Sequence, residues 1–238
     1  MFDNLNDKRL VRLAFGWNYK SWSHAFKVAN FQLPNRLDQI LEIGASRYSI
    51  VSLIFDGMAD KIVISYYTEN QREGVERYLA SVRMRYKLKS KYVLEQVDAT
   101  TVEGNFDIVI MKSVLGGLFR HDRSSISDAT NFIGNLLSRT VKPEGLLISI
   151  DNGKSILERL LSRFGARSYK WRYFKKSELN RAISQAEFGV ISSFSFEYRF
   201  GFVGYILDNY VIYPIDLILF KFWRYNPTVI VSVFDTHG

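Results

Sequence analysis

Five short apolar runs each end on a cluster of polar residues, and chemistry would be done at those endings. "QILEIGAS" closes on Glu42, Gly44, Ala45 and Ser46, and "KIVISYYTE" on Tyr66, Tyr67, Thr68 and Glu69. "YVLEQVDA" closes on Asp98 and Ala99, "FDIVIMKSV" on Lys112, Ser113 and Val114, and "LLISIDN" on Asp151 and Asn152. If these runs are parallel strands, their carboxyl ends share one edge of the sheet, where open α/β sheets bind ligands. The set is polar and mildly acidic. The first turn has a single glycine, Gly44, and serines, Ser46 and Ser49, stand where a pyrophosphate turn would carry its second and third glycines. Those glycines let the backbone approach a phosphate closely. The turn therefore suits a ligand without phosphates, and acidic strand ends would not repel a cationic one.

The segments between the runs must hold these endings in place. Residues 1–36 read as helical and aromatic, closed by Pro34. "SIVSLIFDGMA" places Ile50, Val51, Leu53, Ile54 and Met58 at helical spacing. Thr68 and Gln71 form a capping-box pattern, predicting a helix with Val75, Tyr78, Leu79 and Val82 as its apolar stripe. Residues 126–141 are amphipathic with helical period, and "KPEG" at 142–145 reads as a turn. Alternation of strand and helix predicts a parallel sheet with helices on both faces. Beyond it, helices are expected at 155–165 and at 175–188, the latter capped by Ser177, and strands at 190–202 and 228–234. The apolar stretch 200–220 is long enough to cross a bilayer. Asp208, Asn209, Pro214 and Asp216 argue instead for a buried hairpin or an interfacial membrane contact.

With 238 residues, 47% of them hydrophobic, the chain can build a sizeable core as one domain with an appended cap. Absence of cysteine excludes disulfides and thiolate metal sites, and the three histidines disfavour a histidine zinc site. The N-terminus lacks the apolar core of a signal peptide, so a cytoplasmic chain is the default. The net charge of +8 favours an anionic partner or serves solubility alone.

In order and spacing, "LEIGAS", "VDAT", "FDIVIMKSVLGGL" and "TVKPEG" before "LLISI" resemble the motifs of class I S-adenosylmethionine-dependent methyltransferases, over about residues 38–152. "SYYTE", "KSVLGG" and "WRYF" resemble a bacterial branch often met among polysaccharide-biosynthesis enzymes. The resemblance implies a Rossmann-like, mostly parallel seven-stranded sheet with an antiparallel last strand. It implies an aromatic cap at 1–36, a cofactor-binding core at 37–152 and an acceptor-side part at 153–238. S-adenosyl-L-methionine would be the cofactor. Gly44, with Ala45 and Ser46, would pass close to its methionine part and Glu42 would face its amino group, directly or through water. Asp98 and Ala99 would meet the adenine, and Lys112 and Ser113 would line the floor near the sulfonium. The family's ribose-binding acid is replaced by Tyr66, with Glu69 placed to reach the ribose instead.

The expected activity is methyl transfer to an oxygen or nitrogen of a small or saccharide acceptor; the alternative is a non-catalytic binding or scaffolding subunit. The missing glycines count against a third reading, a nucleotide-sugar or NAD-dependent enzyme. Plainer roles stand beside each site residue. Glu42 could bond a nearby backbone N–H, Asp98 could cap its turn, and Gly116-Gly117 reads as a flexible loop. Phe15, Trp17, Tyr19 and Trp22 could be core or lid. His121, with Asp122, is placed for a general base. Lys154, Arg159, Arg163, Arg167, Lys170, Arg172, Lys175 and Lys176 are either a solvated face or the attraction for an anionic, lipid-linked acceptor. Nucleic acid is the second partner class, through stacking on Tyr169, Trp171, Tyr173 and Phe174.

Overall fold

The computed structural model describes residues 3–33, 37–120, 123–154, 171–179, 181–190, 196–222 and 227–236. The helix expected at 155–165, His121 and Asp122 lie outside these residues. The strands are β1 (Leu37–Ile43), β2 (Ala59–Tyr66), β3 (Lys91–Gln96), β4 (Phe106–Lys112), β5 (Val141–Asn152), β6 (Ser184–Phe188) and β7 (Val229–Asp235). They form one seven-stranded sheet in the order β3-β2-β1-β4-β5-β7-β6. The first five are mutually parallel; β7 runs antiparallel to both of its neighbours. This is the expected Rossmann-like sheet with its antiparallel last strand.

Side chains alternate across a strand, so each central strand feeds two cores. Ile40, Ile62, Ile108 and Ile148 point into one, covered by α1 (Lys8–Phe15), α2 (Tyr19–Val28) and α3 (Glu69–Arg85). Leu41, Val63, Val109 and Leu147 point into the other, closed by α5 (Ile126–Thr140). A single turn, α4 (Leu115–Leu118), follows β4. The Thr68–Gln71 capping box forms as its spacing predicts, and a second one, Ser125 with Asp128, starts α5. At the opposite end of the sheet from the ligand edge, Asp107 accepts from Asp38 N and Gln39 N at 2.7 and 2.8 Å and from Lys142 Nζ at 2.9 Å.

Four elements differ from the sequence expectation. The helix expected over 49–59 shrinks to a 3₁₀ turn, Val51–Phe55, which starts with the N–H groups of Val51 and Ser52 on the buried Glu42 carboxylate and is followed by Gly57, where the chain turns at φ 78°. "KPEG" is a bulge inside β5: Phe106 pairs with Val141 but Ile108 with Leu146, and Glu144 takes φ 65°. The 175–188 segment is a 3₁₀ turn at Lys176–Leu179 followed by strand β6, in which Ala186 and Phe188 are buried and pair with Val231 and Val229. Burial on alternate residues outweighs helix propensity there.

Of the segment expected as a strand over 190–202 and as a buried hairpin or an interfacial membrane contact over 200–220, residues 196–222 are helical. Helix α6 (Phe196–Ile206) kinks at Gly201, a π turn spans Leu207–Ile212, and α7 (Tyr213–Phe222) completes it. Pro214 has no N–H for an α-helical bond, and the wider π turn stands immediately before it. Asp208 starts α6 from a distance, accepting from Phe196 N at 3.2 Å and Glu197 N at 2.8 Å.

Candidate functional site

A cavity of about 1040 Å³ opens over the carboxyl ends of the strands. Its walls include Gly44, Ala45 and Ser46 after β1, Tyr66 at the end of β2, Asp98 and Ala99 after β3, Lys112 and Ser113 after β4, and Asn152 at the end of β5. The parallel pairing of β1 with β2 and β4 brings these endings to one edge. Eight of the eleven residues singled out as a site thus meet in one place. Of the other three, His121 is undescribed, and Glu42 and Glu69 are not in the walls.

Gly44 has two requirements that a side chain would break. Its φ is 78°, and a Cβ there would come within 2.5 Å of Val114 Cγ2. Its N–H donates to Ser65 Oγ at 3.2 Å. The following turn closes on itself: Ser46 N and Ser49 N each donate to the other's carbonyl, and the two hydroxyls lie 3.2 Å apart. The serines in the place of phosphate-binding glycines therefore satisfy one another, and the turn presents Ala45, Arg47 and Tyr48 to the cavity.

Glu42 lies beneath the floor. It is buried, accepting from Val51 N at 2.8 Å, Ser52 N at 2.8 Å and Ser52 Oγ at 2.5 Å. Burial pushes its carboxyl above the usual range, partly offset by these bonds and by Lys112. The carboxylate thus holds nearby backbone, the plainer of the two roles weighed for it. Glu69 is exposed on α3 and pairs with Arg72 at 3.4 Å; its neighbours Asn70 and Gln71 take the place in the wall that Glu69 was expected to hold. Asp151 is buried, accepting from Ser149 Oγ. Asp98 remains as the acid in the described wall. Its Oδ1 accepts from Thr100 Oγ1 at 2.7 Å and Thr100 N at 2.8 Å, which lowers its pKa. Among the described residues Oδ2 takes no bond. Both roles weighed for Asp98, turn cap and ligand acceptor, are compatible with this geometry.

Lys112 is the least ordinary group in the wall. Its ammonium sits 4.7 Å from the centre of the Trp22 ring, and burial pushes it down to about 8, opposed by the Glu42 carboxylate. Aromatic rings make up much of the remaining lining. Trp17 and Trp22 come from the N-terminal helical segment, and Trp17 lies 4.5 Å from Tyr48. Core and lid are therefore not alternatives: Phe15 and Trp22 are buried and also face the cavity.

Trp171 closes another wall. A Cβ on Gly116 would come within 2.2 Å of the Trp171 Nε1 and one on Gly117 within 2.8 Å of its ring, so this pair is a packing surface and not a flexible loop. Sequence reasoning missed Trp171 as a wall residue, Asn70 and Arg47. The two adjacent glycines were the available signal for Trp171.

The basic cluster is only partly free to serve a ligand. Arg172 is buried, donating from Nε to Phe119 O at 2.7 Å and from an NH group to Ser124 O. Phe174 is fully buried, and Trp171 packs on glycine. Two of the four rings weighed for stacking on a nucleic acid are thus taken up in packing. Arg159, Arg163, Arg167, Lys170 and Tyr169 lie outside the described residues.

No family model matches the chain, and no curated protein matches it. Solved structures do. A SAM-dependent methyltransferase from Methanosarcina mazei is similar at 12% identity and TM-score 0.55, over 84% of this chain and 92% of that one. A Bacillus halodurans protein is similar at 15% identity and TM-score 0.54, over 90% and 97%. The YcgJ protein of Bacillus subtilis is similar at 12% identity and TM-score 0.50, over 91% and 99%. The fold is the Rossmann-like fold of the class I S-adenosylmethionine-dependent methyltransferases.

Proposed function

We propose that this chain binds S-adenosyl-L-methionine in the cavity above β1–β4 and transfers its methyl group to a small acceptor. The observation that carries this reading is the joint placement of the Gly44 turn, Asp98 and Ala99 and a ring of aromatic side chains around one cavity. The cofactor would supply an electrophilic methyl group on a cationic sulfur. Trp17, Tyr66 and Trp171 line the cavity with aromatic rings, which attract a cation and so compensate for the scarcity of acids in the wall. Arg47 offers the charge that an amino-acid carboxylate needs. Asp98 Oδ2 would accept from the adenine amino group, and Asn70, in the same wall as Tyr66, would stand in for the missing ribose acid.

Direct displacement requires the acceptor's nucleophile to lie in line with the transferred methyl, so alignment and exclusion of water supply much of the rate. A hydroxyl acceptor must also lose a proton. Lys112 faces the cavity with its pKa near 8, so a substantial neutral fraction is available near pH 8 to accept that proton. A bound cation nearby would enlarge that fraction. Lys112 thus takes the role for which His121 was considered.

The acceptor read from the chain's charge is an acidic or phosphorylated saccharide, lipid-linked, met in the cytoplasm at the membrane face. Among the described cations Lys154, Lys175 and Lys176 support that reading; Arg172 does not. Incubating the protein with methyl-tritiated cofactor and a bacterial extract tests the reading, with label expected in an anionic saccharide-lipid fraction. The second reading, a non-catalytic binding subunit, is motivated by Tyr66 in the ribose-acid position. It predicts cofactor binding weak or absent and no label transferred.

A further inference from the structure

Helical residues Phe200–Phe222 pack Ile212, Leu217 and Phe220 against the domain and turn their polar side chains inward with them, leaving the outward side apolar. Asp208, Asn209 and Asp216 are buried. Asp208 caps the start of α6, Asp216 accepts from Val190 N at 2.8 Å, and the Asn209 carbonyl accepts from Lys20 Nζ at 2.9 Å. Meanwhile Phe202 is 75% exposed, Val203 62%, Ile218 61% and Phe222 82%. A helix on the surface of a water-soluble domain carries its charged and polar residues on the outward side. Only 22% of its most apolar window is buried within the protein. Between Phe200 and Phe220 the sequence holds two charged residues, Asp208 and Asp216, and both face inward. The exposed face is therefore apolar along its length, from Phe200 to Phe222, the kind of surface that marks an interaction site.

We infer that this strip seats the protein on an anionic lipid bilayer, lying in the interface without crossing it. Three observations choose lipid over a second protein. A specific protein interface carries roughly one hydrogen bond per 100–200 Å², yet this strip has turned its carboxylates and amide inward and offers a partner little to fix its register. Cations flank it: Lys221 is exposed near the end of α7, Lys20 lies 4.0 Å from the Tyr210 ring centre, and Arg12, which also pairs with Glu197 at 3.7 Å, lies 4.2 Å from that of Tyr205. In sequence Arg199 and Arg224 bracket it, and the whole chain carries +8. That charge attracts anionic headgroups and would repel a second copy. The inward bonds of Asp208 and Asp216 hold the helix along the domain, and crossing a bilayer would strip both carboxylates of these partners. An amphipathic helix seated this way sinks about 5–10 Å into the headgroup boundary.

The consequence for the site is one of position. Lys20, at the start of α2, reaches the strip, while Trp22 on the same helix and Trp17 just before it face the cavity. A docked protein would therefore hold its cavity wall one helix away from the lipid surface. The inference stands apart from methyl transfer, and vesicle binding can succeed or fail whatever the cofactor titration shows.

The full chain is tested by co-sedimentation with vesicles of phosphatidylglycerol and phosphatidylcholine in equal parts. The wild type is expected in the pellet, and Phe202→Glu/Ile218→Glu to bind at least about tenfold more weakly with an unchanged melting temperature. The chain has no cysteine, so Ile218→Cys gives a unique site for an environment-sensitive fluorophore. Its emission should shift to the blue on adding vesicles, a readout that survives if the double variant folds poorly. Three results would overturn the inference: wild type left in the supernatant as a monomer, wild type left there as a dimer that the double variant splits, or equal pelleting of wild type and a folded double variant.

Discussion

At the scale of single residues, acidic side chains at neighbouring strand ends do different work. Glu42 holds three donors beneath the floor, so Glu42→Ala should destabilise the fold by about 2–4 kcal/mol, the cost of leaving buried N–H groups unpaired. Thermal unfolding without cofactor reads this out; an unchanged melting temperature would show the carboxylate to be dispensable there. Asp98 faces the cavity, so Asp98→Ala should weaken cofactor binding by about 1–3 kcal/mol with a smaller effect on unfolding from its lost bonds to Thr100. Equal losses in both measurements would make Asp98 a turn cap alone. Lys112 gives a pH signature. Its neutral form is the base, so kcat/KM should rise with pH through about 8 and level off above it. In Lys112→Met, which keeps an apolar stem against Trp22, that rise should vanish. A profile unchanged by the substitution would exclude the lysine as the base. Gly44 and Asp98 were legible because their types and spacing are imposed by the turn itself. Whether Glu42 pointed over or under the floor was not legible, since that depends on donors nine and ten residues later.

At the scale of elements, strands were legible wherever burial on both faces leaves an uninterrupted apolar run, as in "KIVISYY" and "FDIVIM". The elements that escaped were those whose conformation is set by distant groups. The 3₁₀ turn at Val51–Phe55 is anchored at its start by Glu42, and α6 begins where Asp208, reached from the far side of the kink, supplies its cap. The strand β6 exists because β7 offers it an edge. Asp208→Ala should therefore fray the start of α6 at a cost of about 0.5–2 kcal/mol, seen as faster amide exchange at Phe196 and Glu197 while the sheet stays protected. Unaltered exchange there would remove the cap from the account.

At the scale of the whole molecule, two surfaces organise the chain. One is the cavity at the carboxyl edge of the sheet, roofed by Trp17 and Trp22 from the N-terminal segment and closed by Trp171. The other is the inverted helix packed beside that segment. Sequence order alone placed the first, because parallel strands must end at the same edge. It could not place the second, because a stretch of apolar residues with two aspartates reads the same whether those aspartates face solvent or the domain. The central claim is that the cavity binds S-adenosyl-L-methionine, and isothermal titration of the purified chain tests it most directly. Saturable binding at one site per chain, weakened in Asp98→Ala, is the expected result; no heat of binding with millimolar ligand would contradict it.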